Sequence, residues 1–168
     1  MTVGGFTLRE ARPEDVPAIF GFVRALAEYE NLADEVEADE ACFAAALFGA
    51  SPRAHALLAE ISGVPVGFAL WFYNFSTFAG RPGIFVEDVF VDPAYRGNGI
   101  GRAFFQALAR RALAEGCRRL EWWVLDWNQP ALHLYRSIGA RAMEEWTVQR
   151  VSGPALAALA ATEENHHG

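Results

Sequence analysis

Hydrophobic and polar positions in the first third of the chain predict one strand and two helices. Phe6–Glu10 alternates with a period of two, which is typical of a half-buried strand. Pro13 and the acids after it suit the first turn of a helix. A second helix is predicted over Glu40–Phe48, ending at Gly49. The apolar positions of the first helix recur at helical spacing: Val16, Ile19, Phe20, Val23, Leu26 and Ala27.

Three strands follow, each bounded by turn residues. Residues 54–61 and 65–75 are rich in apolar side chains, and the Ser62-Gly63 pair between them indicates a β-hairpin. A third strand is predicted over residues 84–91 and ends at Asp92-Pro93.

The second half of the chain predicts further helices and strands. A helix over residues 100–115 is closed by a glycine, and a strand follows over residues 119–125. Asn128 has the character of an N-cap for the next helix, which ends before Gly139. The tail is predicted to contain one or two strands over 141–151 and a short helix over 155–161.

Length and composition fit a single folded domain. The chain has 168 residues, 52% of them hydrophobic, and no repeat or linker divides it. This much apolar bulk makes a disulfide or metal staple unnecessary. We therefore predict one α/β domain over residues 1–168, with a core of about residues 6–151 and a short C-terminal tail.

The net charge limits the classes of molecule that the protein is expected to bind. The formal net charge is −7, and an acidic surface repels phosphate, so we expect no nucleic-acid partner and favour small cations. All 14 basic residues are arginine. The absence of lysine excludes Schiff-base chemistry and the lysine-dependent phosphate loop of nucleotide hydrolases.

Cysteine usage and hydropathy indicate a cytoplasmic protein without a membrane partner. Cys42 and Cys117 are far apart and form no C-x-x-C motif, which argues against a disulfide framework and a cysteine zinc site. No histidine is paired with another ligand at metal spacing, so we expect no metal. The apolar stretch around residues 68–73 is far too short to cross a bilayer, and no signal peptide precedes Phe6.

The most informative segment joins a strand to a helix through a glycine-rich loop. The strand that ends at Val91 runs into Arg96-Gly97-Asn98-Gly99-Ile100-Gly101, where a helix begins. Unpaired N–H groups at a helix start carry partial positive charge, and glycines let the backbone approach a phosphate. The dinucleotide pattern G-x-G-x-x-G fails at Arg102. The segment therefore predicts either a pyrophosphate site or a glycine-rich turn without a ligand.

Four motifs, in order along the chain, resemble those of the GNAT acetyltransferases. The loop above is similar to the R/Q-x-x-G-x-G/A signature of that family. The resemblance extends from Phe6 to about Val151 and is strongest to the diamine (spermidine/spermine) and thialysine acetyltransferase branch. The other matching segments are Ala27-Glu28-Tyr29-Glu30, Val86-Glu87-Asp88-Val89-Phe90-Val91, and Leu125-Asp126-Trp127-Asn128-Gln129-Pro130-Ala131 with Tyr135 and Gly139-Ala140.

The resemblance implies a fold, a cosubstrate and an assembly. The fold is a mixed, mostly antiparallel sheet flanked by helices, splayed where acetyl-coenzyme A (acetyl-CoA) enters, and the assembly is a homodimer. In the family the glycine loop holds the pyrophosphate and the preceding strand pairs with the pantetheine arm. The residues implied in cosubstrate binding are Val89, Phe90, Val91, Arg96, Gly97, Asn98, Gly99, Ile100, Gly101, Arg102, Asn128 and Tyr135.

The resemblance also implies catalytic and substrate residues. Acetyl transfer to an amine needs a base for the ammonium proton and an acid for the departing thiolate. Tyr135 aligns with the acid of the family and Glu87 with its base, acting directly or through water. Tyr29 and Glu30 match a pair of the family that contacts the amine substrate, and Glu87 and Asp88 are expected to bind the substrate with them. Without the resemblance, Tyr135 is better explained as a core tyrosine, and the alternative for Glu87 and Asp88 is a solvent-facing or salt-bridging strand residue. In a regular strand Glu87 and Asp88 face opposite sides, so both reach the cleft only if a bulge intervenes.

One segment departs from the polyamine enzymes. They carry Asp-Pro-Trp before the Glu87 strand, where this chain has Asn74-Phe75-Ser76-Thr77-Phe78-Ala79-Gly80. The missing acid favours a smaller cationic amine, such as an aminoethyl amino acid. Three alternatives stay open: a spermidine acetyltransferase, a protein N-acetyltransferase acting on an N-terminus or lysine, and a CoA-binding module without catalysis.

Overall fold

The computed structural model describes residues 2–3 and 5–161. The chain forms two compact units, Met1–Leu134 and Tyr135–Gly168. Helix α4 (Gln129–Ser137) contains the boundary, and the second unit also holds α5 (Gly153–Ala161). The first unit contains, in order, β1 (Thr2–Val3), β2 (Phe6–Glu10), α1 (Val16–Tyr29), α2 (Glu40–Phe48), β3 (His55–Ile61), β4 (Val64–Ser76), β5 (Arg81–Val91), α3 (Ile100–Ala114) and β6 (Leu120–Glu121).

The strands form a mixed sheet in the order β1-β2-β3-β4-β5-β6. Each neighbouring pair from β1 to β5 is antiparallel, and β5 pairs with β6 in parallel. Ser62 and Gly63 connect β3 to β4 with φ angles of +52° and +78°, as a two-residue hairpin turn requires. The predicted hairpin and the predicted mixed, mostly antiparallel sheet are confirmed.

Helices cover both faces of this sheet. Ile19 of α1 and Leu47 of α2 pack with Leu58, Phe68 and other buried side chains on one face. Helix α3 covers the other face, where it buries Phe104 and Leu108 among others. Each fully buried aliphatic or aromatic side chain contributes about 1.5–3 kcal/mol, so these two layers account for most of the stabilisation.

Strand β6 is shorter than predicted. The sequence predicted a strand over residues 119–125, but β6 is confined to Leu120–Glu121 and pairs with β5 at Ile84 and Phe85. The physical reason lies in β5, which carries an irregularity just after these residues. Beyond that point β5 and β6 are no longer paired, so residues 122–125 have no neighbouring strand and form none. The parting leaves the sheet open on this side.

The second unit consists of the end of α4, an irregular segment and α5. Helix α4 is closed at Gly139, which has a φ of +87°, and the N–H of Ala140 donates to the carbonyl of Tyr135 at 3.0 Å. The prediction of one or two strands over residues 141–151 is wrong, because these residues form turns and irregular structure. The short helix predicted over 155–161 is present as α5. Residues 162–168 lie outside the described part of the chain.

Candidate active site

The glycine loop before α3 has an open conformation that depends on its glycines. Gly97 and Gly99 both have a φ of +80°, a conformation that favours glycine, and a Cβ at either position would meet no atom within 4 Å. Glycine is therefore required here by the backbone conformation rather than by crowding. The space above the loop is free for a ligand.

Helix α3 directs its N-terminus into that space. Gly99 is its N-cap, and its first turn contains no acidic residue. The first N–H groups of a helix have no partner within it and carry partial positive charge. The loop therefore has the open shape and the positive polarisation that a phosphate-binding loop needs.

Polar side chains hold the loop in place. Asp92 accepts a hydrogen bond from the Ala94 N–H at 2.9 Å and so caps the turn that begins the loop. Asn98 donates from Nδ2 to the carbonyl of Tyr95 at 3.1 Å. Arg96 donates from Nε to the carbonyl of Val91 at 2.8 Å, which ties the loop to the end of β5. Arg96 thus has a structural role that the sequence did not predict.

A β-bulge interrupts β5 at the two predicted carboxylates. Leu70 of β4 pairs with Asp88, but its neighbour Trp71 pairs with Val86, so Glu87 is the extra residue. Bulges of this kind increase the local twist and re-aim side chains. The condition under which both carboxylates reach the same face is therefore met.

The bulge also reverses the direction of the peptide groups in β5. The N–H of Ile84 donates toward β6, to the carbonyl just before that strand, whereas the N–H of Asp92 donates to Val66 of β4. Residues 84 and 92 are an even number of positions apart, so in a regular strand both would point to the same side. After the bulge, Val89 and Val91 therefore present their peptide groups to the side where β6 has ended. In the described part of the chain, no strand pairs with this edge of β5.

Side-chain direction follows from the same register. Leu70 belongs to the core cluster beneath α1, together with Ile19, whereas Trp71 faces α3, where the Arg111 guanidinium lies 5.1 Å from its ring centre. Cross-strand partners share a face of the sheet. Asp88, the partner of Leu70, therefore faces α1.

Two other carboxylates, those of Glu30 and Glu87, act electrostatically on Asp88. Glu30 is the C-cap of α1, and Asn31 ends that helix with a φ of +58°. Glu30 and Asp88 are half-buried, and Glu87 is exposed. Burial first, then the charges of Glu87 and Glu30, raise the pKa of Asp88 to about 7. Burial also raises the pKa of Glu30. We call Glu30, Glu87 and Asp88 the carboxylate cluster.

Aromatic rings connect the carboxylate cluster to the glycine loop. The Tyr29 and Trp127 ring centres are 5.8 Å apart, and the Arg96 guanidinium lies 5.1 Å from the Tyr29 centre and 5.5 Å from the Phe90 centre. The Tyr29 hydroxyl donates to Oδ1 of Asn128 at 3.4 Å. The same Oδ1 accepts from the Ala131 N–H at 3.3 Å, so the predicted N-cap of α4 is confirmed.

The structure brings most of the predicted site residues of the first unit together. The glycine loop, the end of β5, Tyr29, Glu30 and Asn128 are linked by the contacts above. Tyr135 lies on α4, and Asn128, the cap of that helix, precedes it by about two helical turns. Its role as the acid remains a prediction from the resemblance. The contact between the Trp127 and Tyr29 rings, which are tilted by 49°, was not predicted, although Trp127 directly precedes the N-cap.

The described residues contain neither a metal-binding cluster nor a membrane-spanning helix. Residues 2–3 and 5–161 contain no group of three or more His, Cys, Asp or Glu side chains arranged to hold a metal ion. Within the same residues, no helix has both the length and the apolar character needed to cross a membrane.

Comparisons with known proteins agree with the geometry. Residues 19–140 match the Acetyltransferase (GNAT) family. The chain is 40% identical over 164 residues to the thialysine N-epsilon-acetyltransferase of Bos taurus, covering 91% of this chain and 96% of that protein. It is 29% identical over 197 residues to an L-ornithine N5-acetyltransferase of Arabidopsis thaliana, covering 90% and 86%. A solved integron cassette protein from the V. cholerae mobile metagenome superimposes with a TM-score of 0.78 at 25% identity, covering 94% and 99%.

The family match covers more than half of the chain, and the open sheet, the bulged strand and the glycine loop are consistent with it. The chain therefore belongs to the GNAT family of acetyltransferases, the enzymes that move an acetyl group from acetyl-CoA to an amine.

Proposed function

We propose that this enzyme acetylates the primary amine of a small, compact cation, of the size of thialysine or a short diamine. The observation that carries the proposal is the carboxylate cluster on the α1 face of β5, beside the positively polarised start of α3. One region attracts an anionic cosubstrate and the other a cationic acceptor. The two regions are joined through Arg96 and Tyr29.

The cosubstrate is proposed to bind through the loop and the open strand edge. The first N–H groups of α3, with Arg102 in the first turn, would hold the pyrophosphate, and the peptide groups of Val89 and Val91 would hold the pantetheine arm. The Val91 carbonyl already accepts from Arg96, so Val89 offers the freer edge. Acetyl-CoA supplies an activated thioester when bound.

Side chains of the protein would bind the acceptor amine and carry out the proton transfers. The carboxylate cluster would bind the ammonium group, and one of its members would take the proton that blocks the lone pair of nitrogen. Tyr135, the predicted acid, would protonate the departing thiolate. No covalent intermediate on the enzyme is needed, because the amine attacks the thioester carbonyl directly.

Two findings favour a compact acceptor over a long polyamine. The named relatives from Bos taurus and Arabidopsis act on thialysine and ornithine, both amino acids with a short terminal amine. In the segment before β5, Asn74 donates from Nδ2 to Glu121 at 2.8 Å, and Arg119 pairs with the same carboxylate at 2.6 Å. Phe78 is fully exposed at the tip of the β4–β5 hairpin. This segment therefore adds no uncommitted carboxylate for a distal ammonium.

The organisation of the whole protein is also part of the proposal. The resemblance supports a single N-acetyltransferase domain over residues 1–168, a cytoplasmic location and a homodimer. A light-scattering mass of twice 18.5 kDa would support the dimer, and a mass of 18.5 kDa at assay concentration would refute it.

A thiol-release assay over an amine panel tests the proposed function. The panel contains thialysine, ornithine, spermidine and a peptide with a free N-terminus, each with acetyl-CoA. Release with the short amines is expected. Release with the peptide alone would instead indicate a protein N-acetyltransferase. Acetyl-CoA binding without release for any acceptor would indicate a binding module that has lost catalysis.

A further inference from the structure

We infer that Asp88, rather than Glu87, accepts the proton of the acceptor ammonium, which deepens the proposed function and rests on it. The geometry that points to Asp88 is the bulge in β5, which leaves Glu87 exposed and turns Asp88 toward the end of α1. The sequence and the family resemblance had favoured Glu87.

The position of Asp88 suits a base better than the position of Glu87. Asp88 is half-buried and follows the bulge, where its neighbour Val89 presents its peptide group to the open edge of the sheet. A proton acceptor must lie within hydrogen-bond reach of the reacting nitrogen while the acceptor lies beside the thioester. Glu87 is exposed to solvent, a position that suits the attraction of a cation.

The electrostatics of the cluster support the same assignment. Burial, with the charges of Glu87 and Glu30, raises the pKa of Asp88 to about 7. A base is most effective when its pKa lies near the working pH, because it is then both available and strong enough to take the proton. An ordinary aspartate, with a pKa near ~3.9, is a much weaker base.

The groups around Asp88 come from several elements. Glu87 lies on the same strand and Glu30 at the end of α1, and these are the two charges that act on Asp88. From β4, its partner Leu70 is apolar. The Arg96 guanidinium is held between the rings of Tyr29 and Phe90 and is not among the charges that shift the pKa of Asp88.

The step balances as follows. One proton moves from the acceptor ammonium to the carboxylate of Asp88, which frees the lone pair of nitrogen. A bond forms between that nitrogen and the thioester carbonyl carbon, and the carbon–sulfur bond breaks. The thiolate leaves and takes up the proton that the new amide nitrogen releases. Asp88 then releases its proton to solvent.

The pH dependence of kcat/KM tests the inference. The kcat/KM of the wild type is expected to rise with pH through a midpoint of about 7, the pKa of the Asp88 carboxyl. Asp88→Asn is expected to lose this rise and roughly 10²–10⁴-fold of kcat/KM. Glu87→Gln and Glu30→Gln each remove a like charge, so each should keep the rise but move it to lower pH. Glu14→Gln, an exposed carboxylate before the start of α1, is the control and should leave the midpoint unchanged.

A second readout does not depend on turnover or on the stability of Asp88→Asn. The side-chain carboxyl groups of ¹³C-labelled aspartate are followed by NMR against pH in the protein without substrates. One aspartate should titrate near 7 in the wild type, and its midpoint should fall in Glu87→Gln.

The results separate the inference from the proposed function. An active enzyme in which Glu87→Gln, and not Asp88→Asn, abolishes the rise would overturn the role of Asp88 alone. All aspartates titrating below about 5 in the NMR series would do the same. A wild type that acetylates no amine would overturn the proposed function, whatever the titration shows.

Discussion

Replacing Asp88 by asparagine is expected to stabilise the folded protein at neutral pH. The pKa of this carboxyl is about 7 in the folded chain, against an ordinary value of 3.8, and burial is the first cause. Between those two values the unfolded chain has released a proton that the folded chain still holds. The free energy of unfolding of the wild type therefore falls as pH rises through this window. Asparagine stays neutral and avoids the loss.

The magnitude follows from the size of the shift. A shift of roughly 3 pKa units, at about 1.36 kcal/mol each, corresponds to about 4 kcal/mol above pH 7. We compare the free energies of unfolding of Asp88→Asn and the wild type. Any effect of the substitution on packing is independent of pH, so the pH dependence of their difference reports the ionisation of the Asp88 carboxyl alone. Below about pH 3 the Asp88 carboxyl is protonated in both the folded and the unfolded wild type, and that difference should be at its baseline.

Urea unfolding of both proteins between about pH 4 and pH 8 measures this difference. It should grow steadily up to about pH 7 and then level off. Asp34→Asn, at an exposed acid after α1, is the matched control and should show no such growth. A difference that is the same at both ends of the range would refute the reasoning, as would a wild type that gains stability across it relative to Asp88→Asn.

Two further predictions concern the cosubstrate and the acid. Gly99→Val should weaken acetyl-CoA binding by roughly tenfold or more, about 1.4 kcal/mol, because a branched side chain enters the open space above the loop. Gly63→Val is the matched control, since Gly63 has a φ of +78° against +80° for Gly99 and carries the same backbone strain without the loop; equal affinities by calorimetry in the two folded variants would contradict the loop assignment. Tyr135→Phe should keep acetyl-CoA affinity but lower kcat by roughly 10²–10⁴-fold, since it removes only a proton donor. Turnover close to that of the wild type would show that the thiolate leaves without this acid.

Local signals in the sequence were sufficient for most elements. The Ser62-Gly63 turn and the cap at Asn128 each depend on a few neighbouring residues, and the structure has both where they were predicted. Asp39 caps α2 through the Cys42 N–H at 2.9 Å, and the helix has the predicted bounds. The glycine loop was equally predictable from the sequence, because its φ angles require glycine at fixed positions.

Long-range pairing determined the features that the sequence did not predict. The bulge at Glu87 depends on the register between β4 and β5, which no local pattern specifies. The length of β6 depends on where β5 turns away from it, so a strand-like run beyond Glu121 finds no partner. The raised pKa of Asp88 depends first on burial, then on Glu87 and on Glu30, which is distant in the sequence and brought near by the packing of α1 on the sheet.

Competition between two amines in one reaction measures acceptor choice directly. Equal concentrations of thialysine and spermidine are incubated with the enzyme and limiting acetyl-CoA, and the products are resolved by mass. A long polyamine lacks a free carboxylate for its distal ammonium, and a charge-assisted contact is worth roughly 1.5–3 kcal/mol. Acetylated thialysine should therefore form with a kcat/KM about one to two decades higher than that for spermidine. A preference for spermidine would contradict the compact-acceptor assignment, and the absence of both products would contradict acetyl transfer to a small cationic amine.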